Sequence, residues 1–274
     1  MNMQNASAHI VQWLLDYAKR AGKDTFVVGI SGGIDSALVS TLCAKTGLKV
    51  RAISMPVHSK RSPLANSHLG WLITNFPNVE VDVSDIGDSF EMEIQEYRHP
   101  LDGLQRANLQ SRLRMIRLYL YAGSSGLVVG TGNKVEDAGL GFFTKYGDGG
   151  VDISPIGDLL KSEVRAMAAY LGIDPRIIEV APTDGLWEPG SGHETDEQAL
   201  GMTYDEAEQA MALNDKYEMV KTMLPNHSID QFIEVEKLTD KQVSLLKNFL
   251  GWHNATSHKM NMPPVCIIPE NLRD

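Results

Sequence analysis

The chain has 274 residues, 43% of them hydrophobic and 22% charged, the balance of a globular protein with room for one large α/β domain or two small ones. Its net charge of -10 argues against a general nucleic-acid binder, and no apolar run is long enough to span a bilayer. The N-terminus lacks the pattern of a signal peptide, and Cys43 and Cys266 form no CxxC pair, so both are expected as reduced thiols in the cytoplasm.

Ile10, Trp13, Leu14, Tyr17 and Ala18 recur at helical spacing and predict a helix over Ser7 to Ala21, ended by Gly22. Phe26 to Ile30 is a short apolar run that predicts a buried strand, and a helix is predicted from Asp35 through Ala44. Between them lies a turn of Ser31, Gly32 and Gly33. Glycine lets backbone approach a ligand closely, and turn amides at a helix start make a phosphate site. Asp35 beside that site would repel phosphate unless a cation sits between them, so the stretch predicts a nucleotide with magnesium. No Gly-Lys-Ser/Thr follows, so this is not a Walker loop, and a plain turn is the competing reading.

Val50 to Met55 predicts a second strand, Val57 to Ala65 a basic loop with His58, Lys60 and Arg61, Leu64 to Phe76 a helix, and Val79 to Val83 a third strand. Helices are predicted over Ile86 to Tyr97 and Leu104 to Tyr121, the latter with Leu109, Leu113, Ile116 and Leu120 on one side. Leu127 to Thr131 predicts a fourth strand, Phe142 to Gly150 a Gly-rich loop, and Leu159 to Leu171 a helix. Pro182 to Glu197 reads as a long loop. Helical stretches follow near Tyr204–Asn214, before Met223, and over Thr239–Asn248. Strands alternating with helices predict an α/β fold, a doubly wound parallel sheet with helices on both faces. Ligands of such sheets bind beyond the C-terminal strand ends, which directs attention to the loops after Ile30, Met55 and Thr131.

The run Ser31-Gly32-Gly33-Ile34-Asp35-Ser36 resembles the pyrophosphate loop of the ATP-pyrophosphatase superfamily, which includes NAD, GMP and asparagine synthetases and tRNA thiolases. Three further stretches resemble the NAD synthetase family more narrowly. They are Gly141-Phe142-Phe143-Thr144-Lys145-Tyr146-Gly147-Asp148-Gly149-Gly150-Val151-Asp152, the segment Gly130-Thr131-Gly132-Asn133-Lys134-Val135-Glu136, and His258-Lys259. The resemblance runs from about Gly29 to Lys259.

It implies an adenine nucleotide alpha hydrolase-like fold over one domain, residues 1–274, and an ammonia-dependent ligase. The nicotinate carboxylate of deamido-NAD attacks the α-phosphorus of ATP, and ammonia then attacks the acyl-adenylate to give NAD, AMP and pyrophosphate. The implied ATP-binding positions are Gly29, Ile30, Ser31, Gly32, Gly33, Ile34, Asp35, Ser36, Thr131, Lys161 and Thr183. Asp35 and Glu136 are the implied magnesium ligands, and magnesium prefers such oxygen donors. Arg112, in an Asn-x-x-x-Arg-x-Arg-Met helix, with Lys145, Asp152, His258 and Lys259, is implied to bind deamido-NAD.

Each position has a plainer reading: Glu136 as a favourable first-turn charge, Lys161 as a solvated surface lysine, Thr183 as a cap, and Arg112 as part of a basic helix face. Lys145 and Asp152 also read as a salt-bridged hairpin, and His258-Lys259 as a polar tail. Asp148, a lone acid in the Gly-rich loop, is the candidate catalytic base that takes a proton from ammonium.

Only 28 residues precede Gly29, too few for a glutaminase domain, so free ammonia is the expected nitrogen donor. The family implies a homodimer with substrate at the interface, and Trp13, Trp71 and the Leu104–Tyr121 helix offer apolar surface for it. No nucleic acid and no membrane is expected as a partner. A tRNA thiolase and a non-catalytic nucleotide sensor are the competing readings; absent CxxC pairs weigh against the first, and the pair Asp35 and Glu136 against the second. His193-Glu194 lacks the second histidine of a zinc-protease motif.

Overall fold

Residues 1–58, 62–183, 186 and 195–273 are described by the computed structural model. Four parallel strands, β1 (Thr25–Gly29), β2 (Lys49–Ser54), β3 (Val79–Val83) and β4 (Gly126–Val128), lie in the order β3-β2-β1-β4. Thr25 is in register with Lys49 on one side and Gly126 on the other. β1 is buried on both faces, with Phe26 and Val28 turned to one core and Val27 to the opposite one. This period-two division of an apolar run is what a central parallel strand requires.

The first core packs the sheet against α1 (Met3–Ala21), α2 (Ile34–Ala44), α3 (Pro63–Asn75), α6 (Lys161–Tyr170) and α7 (Pro175–Glu179). On the other face lies α5 (Gly103–Ala122), with α4 (Gly87–Tyr97) against it. A third core joins the π-helical segment Val135–Leu140 to α8 (Asp196–Leu200), α9 (Tyr204–Met223) and α11 (Asp240–Met260); α10 (Ile229–Glu236) lies between the last two in the chain. The sheet is therefore doubly wound. The chain runs outward from β1 to β3 and returns across to β4, so the loops after β1 and β4 face the point where strand order reverses.

Several expectations shift. The first helix starts at Met3 rather than Ser7, because the Asn2 side chain accepts the Asn5 amide at 3.0 Å and caps an extra polar turn. Gly22 ends it with φ +64°. The fourth strand stops at Val128, and Val129 keeps a single bridge to Ile153. The apolar stripe on the long helix is divided, with Leu113 packed against the core on that face of the sheet and its C-terminal part left as surface. Ile116 and Leu120 are 50% and 69% exposed, and the buried residues are Ala107, Ser111 and Ala122.

Trp13 and Trp71, expected as dimer surface, pack half-buried against the first core. The stretches near Tyr204 and before Met223 are one helix. The stretch expected to end at Asn248 continues to Met260, held by Trp252 Nε1 donating to the Leu200 carbonyl at 3.2 Å and Thr256 Oγ1 donating to the Leu140 carbonyl at 2.7 Å. Tertiary bonds extend that helix through Gly251 and Asn254, which are poor helix formers.

Of the two long loops, Lys60 and Arg61 and residues 187–194, including His193 and Glu194, lie outside the described residues, and Asp196 and Glu197 belong to α8. Among the described residues no helix is long and apolar enough to cross a membrane.

Candidate active site

The turn after β1 is built by its own hydroxyls. Ser31 Oγ accepts the Gly33 amide at 3.1 Å, Ser36 Oγ donates to the Gly33 carbonyl at 2.9 Å, and the two hydroxyls are 3.1 Å apart. Gly33 precedes α2 without any side-chain cap, so the positive end of α2 opens onto the turn. Gly32 has φ +93°, and a Cβ there would come within 2.5 Å of Ser62 Oγ at the start of α3. The position therefore admits only glycine.

Asp35, in the first turn of α2, faces the loop after β4. Lys161 Nζ lies 2.7 Å from Asp35 Oδ2 and 2.8 Å from Glu136 Oε1. The Lys161 side chain is 1% exposed, which excludes the reading of a solvated surface lysine. Its ammonium also lies 4.6 Å from the centre of the Tyr204 ring, a cation–π contact. The Tyr204 hydroxyl donates to Glu136 Oε1 and approaches Asp196 Oδ2 at 3.1 Å. Asn133, fully buried, donates to Asp35 Oδ1 at 3.2 Å while its own Oδ1 accepts the Val135 and Glu136 amides. One asparagine thus ties α2 to the π-helical segment and sets where Glu136 points.

The charges explain the titration directions. Burial pushes Asp35 above the usual carboxylate range, although Lys161 draws it back. Glu136 is buried too, but the Lys161 ammonium and the bonds from Lys161 and Tyr204 hold it below that range. Burial disfavours the Lys161 charge, yet the two carboxylates keep its pKa raised. The lysine stays protonated between two acids.

The Gly-rich loop forms a second cluster. Asp148 Oδ1 accepts from Ser111 Oγ at 2.6 Å and from the Thr144 amide at 2.9 Å, and Ser111 Oγ accepts the Asp148 amide in return. The loop is thereby fastened to α5. It is fastened to α11 by two lysines running in opposite directions. Lys145 Nζ donates to the carbonyls of His258 and Asn261 at 2.9 and 3.1 Å, and Lys259 Nζ donates to the Phe143 carbonyl at 2.7 Å. Lysine at a helix C-terminus satisfies carbonyls that the helix cannot. His258 and Lys259 thus sit on a helix end, not on a loose tail.

Asp137 joins the two clusters. Its carboxyl is pushed up to about 7 by burial and by the charges of Glu136, Asp148 and Asp35, with Lys259 acting in the opposite direction. A Cβ on Gly132 would come within 2.0 Å of Asp137 Oδ2, so glycine is needed there for the carboxylate to fit.

The turn from Ser31 to Ser36, Glu136 and Lys161 come together, as do Lys145, Asp148, His258 and Lys259. Asp152 lies apart, bound to β4 by its carboxylate accepting the Val128 amide at 2.7 Å and to α5 by the Tyr119 hydroxyl at 3.2 Å. Arg112 is exposed on α5 next to Ser111. Thr131 is half-buried in the loop after β4, and Thr183 is exposed beside Pro182, whose carbonyl accepts the Asp196 amide at 3.0 Å. Asn133, Asp137, Tyr204 and Asp196 were not singled out from the sequence. The acid following Glu136 was the one local signal; Tyr204 and Asp196 carried none, because their approach depends on the third core.

A site with an anion-binding turn, a buried lysine between two carboxylates and an adjoining Gly-rich loop suits a phosphate ester next to a second anionic group. The NAD synthase family model matches residues 6–249. An NH(3)-dependent NAD(+) synthetase of Methanosarcina acetivorans is 35% identical over 97% of this chain and 98% of its own. Among solved structures, an NMN synthetase from Francisella tularensis superposes with a TM-score of 0.76 at 30% identity, covering 98% of this chain and 99% of that one. An NH3-dependent NAD synthetase from Campylobacter jejuni in complex with the nitrate ion gives 0.74 at 26% identity, covering 97% and 100%. With that match over most of its length, the chain belongs to the NAD synthase family.

Proposed function

We propose that the chain is an ammonia-dependent NAD synthetase, an ATP-consuming ligase that amidates deamido-NAD to NAD with release of AMP and pyrophosphate. The observation that carries this reading is the placement of Lys161 between Asp35 and Glu136, directly behind the Ser31–Ser36 turn. That arrangement holds a positive charge within reach of the turn where a leaving pyrophosphate needs one.

In this reading the turn from Gly29 to Ser36, with the Ser31 and Ser36 hydroxyls at the open start of α2, holds the ATP phosphates, and Thr131 and Thr183 take other parts of the nucleotide. Lys161 turns from the carboxylates to the phosphates. Asp35 and Glu136 would hold magnesium, whose donor needs they fit, since two hard carboxylates already bracket one cation. When bound, the ion neutralises charge on the leaving pyrophosphate. Arg112, Lys145, Asp152, His258 and Lys259 orient deamido-NAD so that its nicotinate carboxylate faces the α-phosphorus. The carboxylate oxygen bonds to phosphorus as the bond to pyrophosphate breaks. Asp148 takes a proton from ammonium; the ammonia so formed adds to the acyl carbon, AMP leaves with its oxygen, and the proton left on nitrogen passes to solvent. The Ser111 hydroxyl and Thr144 amide bonds hold that carboxylate in place for the transfer.

The reading treats residues 1–274 as one catalytic unit in the cytoplasm. It includes a homodimer, supported by the exposed Ile116 and Leu120 on α5. A second acceptor is favoured by one observation, the likeness to an NMN synthetase over nearly the whole of both chains. In that case the nicotinate mononucleotide is amidated by the same chemistry. Purified chain assayed with each acceptor, and with ammonium against glutamine, separates these. Preference for deamido-NAD with ammonium is expected; preference for the mononucleotide would reassign the acceptor, and turnover on glutamine alone would overturn ammonia dependence.

A further inference from the structure

Glu136 Oε1 has two donors, and they differ in what else they can do. Lys161 is a cation with a competing partner, the nucleotide phosphates, in the function proposed above. Tyr204 is neutral and fully buried, and it projects from the first turn of α9. Its helix start is fixed by a capping box: the Thr203 side chain accepts the Glu206 amide, and the Glu206 side chain accepts the Thr203 amide. A third bond, from the Tyr204 amide to Glu197 Oε1 at 3.0 Å, ties it to α8. The residue is therefore anchored to α8 as well as to the start of α9. When Lys161 leaves Oε1 for phosphate, one of the two donors on that oxygen goes with it.

We infer that Tyr204 is the positioning residue that keeps the Glu136 carboxylate aimed as Lys161 moves from the two carboxylates to the nucleotide. The inference rests on Glu136 as a magnesium ligand. Removing the hydroxyl leaves ring packing and the cation–π contact with Lys161 intact, so it acts on the carboxylate and not on the core. The Tyr204 bond would then hold Glu136 Oε1 while the ion arrives, beside the contact from Asn133; without it, the carboxylate loses one of its two remaining anchors and is reordered on binding. Such supporting bonds to metal ligands are worth about 10- to 100-fold in metal affinity.

Asp196 bears on the same proton. A phenol has one hydrogen to donate, and it lies between Glu136 and Asp196. An amide at position 196 donates to the phenol oxygen, which directs the phenol proton to Glu136.

The test is titration calorimetry of the full chain with α,β-methylene ATP, in magnesium and in EDTA. Tyr204→Phe is expected to bind the nucleotide about tenfold more weakly in magnesium and unchanged in EDTA. Glu136→Gln is expected to lose the magnesium effect altogether. Wild-type affinity of Tyr204→Phe in magnesium, with the effect lost in Glu136→Gln, overturns the role of Tyr204 alone. A Glu136→Gln variant that keeps the magnesium effect overturns the metal assignment and this inference with it. Should Tyr204→Phe fail to fold, Asp196→Asn decides: raised affinity in magnesium, unchanged in EDTA, supports the role, and unchanged or lower affinity in magnesium overturns it.

Discussion

Lys161 Nζ and Glu136 Oε1 lie 2.8 Å apart, and the lysine side chain is almost wholly out of solvent. A buried ammonium is stable there because a second carboxylate, Asp35, takes it at 2.7 Å. Lys161→Met leaves two largely buried acids with no cation between them. Unfolding in urea without magnesium is expected to show a loss of about 3 kcal/mol, and magnesium is expected to raise the melting temperature of the variant more than that of the parent. Equal stability of variant and parent would show that the ion pair contributes nothing.

Gly32→Ala is expected to raise the ATP KM at least about tenfold, because a methyl group at φ +93° is strained and meets Ser62. Gly22→Ala, also at positive φ but with open space around it, is the control. It should lose some stability and keep its ATP affinity. Similar ATP constants for both variants would contradict the phosphate role of the turn.

The reciprocal lysines make a double-mutant cycle possible. Lys145→Ala and Lys259→Ala each cut one tie between the Gly-rich loop and α11, and each should raise the KM for the dinucleotide more than it changes the KM for ATP. Their effects should be non-additive, with a coupling of about 1 kcal/mol. Strict additivity would mean that the two ties act on different structures.

His68, on α3, is buried against Ser40, 2.9 Å away, and burial lowers its pKa from 6.5 to about 4. The folded chain keeps it neutral while the unfolded chain takes up a proton below pH 6.5. Folding stability should therefore fall as pH drops from 6.5 to 4, by about 3 kcal/mol from this group. Urea unfolding at pH 7, 5.5 and 4.5 measures the slope, and His68→Gln should flatten it. An unchanged slope in the variant would assign the pH dependence to other groups.

The sheet was legible because Phe26 to Gly29 is a short apolar run, Val50, Ala52 and Ile53 supply the buried positions of the next strand, and Ser-Gly-Gly after a strand has a narrow meaning. The long helix from Gly103 was legible as a helix but not in its facing, since Ile116 and Leu120 repeat like core residues and lie on the surface. Periodicity reports which residues share a face, and only packing decides what that face meets. The site divides in the same way. Asp35 and Glu136 were readable as candidates from motifs, whereas the ion pairs that Lys161 makes with both were not, since a motif places that lysine only near phosphates. Asn133, Tyr204 and Asp196 act through distances between segments 98, 68 and 8 residues apart, and no local pattern encodes them.

One assay bears on the whole account. Purified chain is incubated with ATP, magnesium, ammonium and deamido-NAD, and the products are separated by chromatography. NAD, AMP and pyrophosphate in equal amounts are predicted; ADP in place of AMP, or ATP cleavage without NAD, would contradict it.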